Sequence, residues 1–387
     1  MRPTVVQFGA GAVGRGFLGQ LWTEAGLEVV YVDVDPTLVA ALNARRAYCL
    51  DLVGPTRHES LEVRPVRAVS ARDLEAVAAE LGRCRFAATA VGPAVLPRLA
   101  PSLAAGLRRR RGADAAASLD VLLCENQLHC ARPLHAALSA LLLPEELAGL
   151  GLVECVVGRT IPTPAGAPPD GDPLRLAADD YPSLPVHAPS FRGALPDVPG
   201  LDPVPDLIPI VERKLLVHNM AHAVAAYLGA AAGCATVQEA MLQPAIADQV
   251  SRAMQAGATA VARRHGFSEA EVAHLLDDLD RRFRNPSLTD PVSRVGRDPL
   301  RKLSADDRLI GAVRACREQG VDPAPIYPGI AAALRFAAHH QPDDPLICRL
   351  ATDPRAGIAA ITGQPADGPV VEAILRETAG WTAGSPR

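Results

Sequence analysis

The motif Gly9-Ala10-Gly11-Ala12-Val13-Gly14 constrains this chain more than any other feature, because of where it stands. It follows an apolar strand-like run at 4–8 and opens a helical pattern at 14–25. G-x-G-x-x-G alone is a weak signal; between a strand and a helix it acquires a mechanism. The first glycine allows a tight turn, the second lets backbone approach a pyrophosphate, and the third lets helix and strand pack closely. The helix start adds unpaired N–H groups that favour phosphate. Asp33 ends the next strand-like run, with Asp35 close behind. A carboxylate there accepts ribose hydroxyls and repels a 2′-phosphate, so the expected cofactor is NAD rather than NADP.

Strand-like runs at 4–8, 28–33, 85–91, 120–124 and 151–157 alternate with helical patterns at 14–25, 36–44, 71–81 and 94–110. That alternation implies an α/β fold with a doubly wound parallel sheet. Segments near 47–53 and 61–69 have the look of an inserted hairpin. Residues 163–173 are a Pro/Gly-rich loop, and 182–209 are studded with proline. The domains are expected at 1–195 and 196–387, the second mainly α-helical, with helices near 211–230, 237–265, 268–283, 304–319, 328–339 and 368–379. The terminal TAGSPR is expected to fray.

With 387 residues and 49% apolar side chains, the chain can bury two sizeable cores. A net charge of −4 gives no reason to expect nucleic acid or an anionic membrane as partner. No apolar run approaches the length of a membrane span, and with a strand-like run almost at the start no signal peptide is expected. Eight cysteines, scattered singly through apolar surroundings, suit reduced thiols in a cytoplasm. Cys124, His129 and Cys130 lack a second ligand pair, so no metal is expected.

Of 39 basic side chains only Lys214 and Lys302 are lysine. Arginine stays protonated in proteins, whereas a buried lysine can lose its proton, so a lysine surviving this bias is a candidate acid or base. Lys214 lies in VERKLLVHNMAHAVAAYLG, upstream of Asn219 and His222. On an α-helix His222 would lie about 80° from Lys214 and about 60° from Asn219, on one broad face. A neutral lysine can take the hydroxyl proton of an alcohol as hydride leaves, while Asn219 and His222 donate hydrogen bonds to the developing alkoxide. Burial, Arg213 and a cationic nicotinamide ring are the expected sources of a lowered lysine pKa.

The segment ERKLLVHNMAHAVAAYLG resembles the Lys-x4-Asn-x2-His signature of the long-chain polyol dehydrogenases that work without metal. VQFGAGAVGRGFLGQL, TAVG at 89–92, CENQ at 124–127 and RFRNPSLTDPVSRVGRDPLRKLSADDRLIGA at 282–312 extend the resemblance over nearly the whole chain. It implies a Rossmann-like domain followed by a helical domain with substrate between them. It implies Lys214 as general acid/base and Asn219, His222 and Asn126 as donors to the oxyanion. Val91 and Gly92 join the glycine loop as cofactor residues. The neighbours of Asn219, His218-Asn219-Met220-Ala221, depart from the smaller or hydroxylated residues expected there.

A phosphorylated substrate needs cationic donors. Arg294, Arg297, Arg301 and Lys302 are the candidates, with Arg308 in the same block. The expected partner is thus a small polyol or sugar phosphate. A free polyol, a hexuronate and a non-catalytic NAD sensor stand as alternatives.

Overall fold

A computed structural model describes residues 2–54, 58–127, 129–161, 171–286 and 290–379. The terminal TAGSPR and most of the 163–173 loop lie outside them. Contacts divide the chain into two compact units, Met1–Ile210 and Val211–Arg387.

The first unit contains strands β1 (Thr4–Phe8), β2 (Glu28–Asp33), β3 (Tyr48–Val53), β4 (His58–Val63), β5 (Val66–Ser70), β6 (Ala87–Thr89), β7 (Leu119–Leu123), β8 (Leu150–Glu154), β9 (Leu176–Ala178), β10 (Leu184–His187) and β11 (Leu201–Val204). Six of them make one sheet in the order β5-β2-β1-β6-β7-β8. Its pairings are all parallel. Side chains alternate across a strand, and here each face has its own core. Val5, Val29 and Tyr31 point into one, with Trp22 and Leu50. Val6, Phe8, Val30 and Val32 point into the other, with Leu81, Leu103 and Leu107. Burial on both faces explains why the strands read as continuous apolar runs.

The expected hairpin is corrected in its second arm. β3 pairs antiparallel with β4, but Val66–Ser70 leaves the hairpin and pairs with β2 in the main sheet. The chain winds outward from β1 to β2 and β5, then returns to β6 on the other side. Order therefore reverses between β1 and β6, and open α/β sheets bind ligands outside the carboxyl ends of strands at such a point.

The second unit is helical. The buried helix Met220–Ala231 is at its centre, packed by Pro244–His265 and Tyr327–His340. The expected helix at 237–265 is two, Val237–Leu242 and Pro244–His265, because Pro244 cannot donate an N–H to a continuing helix. No described helix is long and apolar enough to cross a membrane.

Candidate active site

The glycine loop leaves β1 at its carboxyl end. Gly9 has φ +86°, and a Cβ there would meet the Ala90 carbonyl oxygen at 2.4 Å. A Cβ on Gly14 would lie 2.0 Å from the Gly9 oxygen. These two glycines are required by the turn itself. Gly11 differs: a Cβ there would project into open space, so its lack of a side chain matters only to something that approaches the loop. That is the fit expected for a pyrophosphate cradle.

The loop is tied down on every side. The Gly9 N–H donates to the Val32 oxygen at 2.9 Å, and the Ala10 N–H donates to Asp33 Oδ2 at 2.7 Å. Buried Arg15 donates from Nε to the Ala10 oxygen at 2.6 Å and from Nη1 to the Leu174 oxygen at 2.8 Å. Ala12 starts the helix, and Val13 packs against the core beneath. The expected α-helix from 14 begins instead as a π turn, Gly14–Leu18. Two buried tyrosines reach this turn. Tyr31 donates to the Gly14 oxygen at 3.2 Å and Tyr48 to the Arg15 oxygen at 2.7 Å.

Glu125 is a residue that the sequence did not single out. Nearly fully buried after β7, its carboxylate accepts from Thr89 Oγ1 at 2.9 Å, Val91 N–H at 3.1 Å and Gly92 N–H at 2.9 Å. Val91 and Gly92 therefore present side chain and carbonyl, not their N–H groups, to any ligand. Asn126 follows directly and is exposed. A carboxylate wedged between a buried cysteine and an asparagine was the signal available for Glu125.

In the second unit, Lys214–Asn219 is also a π turn, set between the α-helices Ile208–Arg213 and Met220–Ala231. Residues five apart lie about 140° apart on an α-helix. With i→i+5 bonding they come nearly one above the other. Lys214 and Asn219 are therefore nearer to one another around the axis than on the regular α-helix, whose one broad face already held both.

Lys214 is pushed down to about 8 by burial, then by the positive charges of Arg308 and Arg282. The sequence points to Arg213 for this role, but that guanidinium lies over the Phe267 ring, 5.2 Å from its centroid. Burial and the nearby Arg282, His222, Lys214 and Arg308 hold His218 neutral, well below the usual histidine range. Its ring and that of His222 both lie against Phe283, the latter stacked at 5.2 Å. His222 Nε2 is 2.8 Å from Asp290 Oδ2.

The four expected substrate cations occupy different settings. Arg294 pairs with Asp290 through Nε at 2.9 Å. Lys302 is buried, donates to the Arg297 oxygen, and is pushed down to about 8 by burial, Arg308 and Arg301. Arg301 pairs with Asp307 at 2.7 Å but is half exposed, and Arg297 is exposed. Arg308 also pairs with Asp307, at 2.8 Å. Arg282 is the cation the sequence reading missed.

A glycine turn at the reversal point of a parallel sheet, followed by a helical unit carrying a depressed lysine, places the molecule in the Rossmann class of α/β proteins. The chain belongs to the mannitol dehydrogenase family: the family's Rossmann domain matches residues 3–199 and its C-terminal domain matches 206–350. As such it is an oxidoreductase acting on CH–OH groups. Its fold is similar to that of Pseudomonas fluorescens mannitol 2-dehydrogenase in a ternary complex with NAD and D-mannitol. That match has 17% identity and a TM-score of 0.76, covering 97% of this chain and 91% of that one. A substrate-free D-sorbitol dehydrogenase matches with 18% identity and a TM-score of 0.71, covering 87% and 81%. A ketopantoate reductase from Ralstonia solanacearum shares the fold more distantly, at 16% identity and a TM-score of 0.51, covering 88% and 99%.

Proposed function

We propose that the protein is an NAD-dependent mannitol-1-phosphate 5-dehydrogenase, interconverting D-mannitol 1-phosphate and D-fructose 6-phosphate. The observation that carries the reading is the pair of cations, Arg282 and Arg308, acting on Lys214. Arg308 also meets Asp307 and Arg282 meets Asp278, yet three cations so placed suit an anionic substrate better than a neutral polyol. Bound NAD supplies the hydride acceptor in one direction and the hydride donor in the other. Asp33 and the open face at Gly11 suit its ribose and pyrophosphate.

Neutral Lys214 takes the proton of the substrate hydroxyl during oxidation, and protonated Lys214 returns it to the ketone oxygen during reduction. Asn219 and His222 donate hydrogen bonds to that oxygen as it gains charge, and the reading assigns Asn126 the same task. Arg294 and Lys302 hold the polyol chain or its phosphate, with Arg297 and Arg301 toward solvent.

A second reading is a dehydrogenase of a free polyol, favoured by the mannitol and sorbitol named for the relatives of similar fold. NADH absorbance at 340 nm separates the two. Turnover of mannitol 1-phosphate and fructose 6-phosphate, with mannitol and fructose left untouched, is the expected result. Turnover of the free sugars alone would overturn the phosphate reading and keep the mechanism.

A further inference from the structure

One buried carboxylate joins two groups of the proposed site. The Asp290 side chain is 5% exposed, and its oxygens meet His222 Nε2 at 2.8 Å and Arg294 Nε at 2.9 Å. Its backbone is fixed as well. The carbonyl accepts the Val237 N–H at 2.9 Å, and two residues on the Val292 N–H donates to the Ala235 oxygen at 3.0 Å. The His222 ring is held on its face by Phe283, at an interplanar angle of 13°. It is thus clamped by face and by edge.

The edge contact has a chemical consequence. With Nε2–H given to Asp290, the remaining polar atom of His222 is Nδ1. In the neutral ring Nδ1 carries a lone pair and can only accept. To donate to an alkoxide from Nδ1 the ring must hold a second proton while Nε2–H stays on Asp290. The other titratable or charged groups around the ring are His218, with its centroid 6.1 Å away, Arg294 through Asp290, and the cations Arg282 and Lys214 that bear on His218.

We propose that Asp290 is a positioning residue of the redox site, one that holds His222 by Nε2 so that the doubly protonated ring donates from Nδ1, and that orients Arg294 with the same carboxylate. This rests on the dehydrogenase reading. Burial alone would raise the Asp290 carboxyl; the hydrogen bond and charge of His222, together with Arg294, outweigh it and keep the group ionised below the usual carboxylate range. A plain structural ion pair would need only Arg294. The second partner, on a different helix and in the Lys-x4-Asn-x2-His signature, is what points to the reaction.

The test uses full-length Asp290→Asn, Asp290→Glu, His222→Ala and the double variant His222→Ala/Asp290→Asn. Ketone reduction, NADH binding by fluorescence and the pH titration of the His222 ring by NMR are read in each. For Asp290→Asn we expect normal NADH binding, a kcat lower by about 10- to 100-fold, and partial recovery in Asp290→Glu. We also expect a downward shift of the His222 titration and no further loss of kcat when Asp290→Asn is added to His222→Ala. An equal loss in the His222→Ala background, or an unmoved His222 titration, overturns the proposal. Should Asp290→Asn fail to fold, Asp290→Glu carries the same comparison. A wild-type protein inactive on every polyol and sugar phosphate sinks the dehydrogenase reading instead, while the ring titration, which needs no substrate, still decides whether Asp290 governs His222.

Discussion

Asp33 Oδ2 accepts the backbone N–H of Ala10 at 2.7 Å, so the acid that ends β2 grips the glycine loop that ends β1. Its other oxygen takes the Asp35 N–H at 3.0 Å. The carboxylate is therefore already oriented at the end of the strand, and binding a ribose there need not first fix a free side chain. Asp33→Asn keeps the shape and removes the charge. Hydrogen bonds to charged groups contribute about 1.5–3 kcal/mol, so KM for NAD is expected to rise roughly tenfold to a hundredfold, with a smaller effect on NADP. Steady-state kinetics with both cofactors decide it; an unchanged NAD/NADP ratio removes Asp33 from the site.

Lys214 should set the pH dependence. With its pKa near 8, the lysine is mostly protonated at pH 7 and mostly neutral at pH 9. Oxidation needs the neutral form, so its kcat/KM should climb with pH and level off above about 8. Reduction needs the protonated form and should decline over the same range. Lys214→Met should lower both rates by about 10²- to 10⁴-fold while leaving cofactor binding intact. Parallel pH profiles in the two directions would contradict the assignment.

Arg282 links the acid–base group to the substrate's charge. Arg282→Gln removes one of the two cations that depress Lys214, so the midpoint of the oxidation profile should move upward. KM for mannitol 1-phosphate should rise by about tenfold if Arg282 meets the phosphate. Mannitol, if turned over at all, should show no such rise. Equal changes for the two substrates would leave Arg282 with the lysine and without the phosphate.

Glu125 should matter to stability before it matters to turnover. Three donors converge on its buried carboxylate. Each donor left unsatisfied costs about 1–3 kcal/mol, so Glu125→Ala should lose roughly 3 kcal/mol or more, and Glu125→Gln less. Urea denaturation measures the difference. A Glu125→Ala protein within about 1 kcal/mol of wild type, the smallest single penalty, would mean that water replaces the carboxylate.

Much of the first unit is legible because its signals are local. Valine runs closed by Gly9 and Asp33 mark β1 and β2. Val66–Ser70 reads as part of the hairpin because alternation announces a strand and says nothing about its distant partner. Two C-terminal helices, Pro345–Thr352 and Pro354–Thr362, went unread although each carries its own start signal. Asp344 and Asp353 cap them, accepting from Leu346 and Ala356, with proline directly after. In the site, residue types and order are visible. What surrounds Lys214 is not, since Arg282 and Arg308 come from 68 and 94 positions downstream (282 − 214 and 308 − 214). Nor can spacing reveal Asp290 beside His222.

Among the described residues the chain has two π turns, and both fall on the segments read as functional. Such a turn lets a helix accommodate one surplus residue without rotating its downstream turns. Around Lys214–Asn219, the turn joins Ile208–Arg213 to the buried helix Met220–Ala231 without a break. The four residues between Lys214 and Asn219 then span what three would span in a regular helix. The lysine and the asparagine are thus five residues apart in the chain and about one turn apart along the helix.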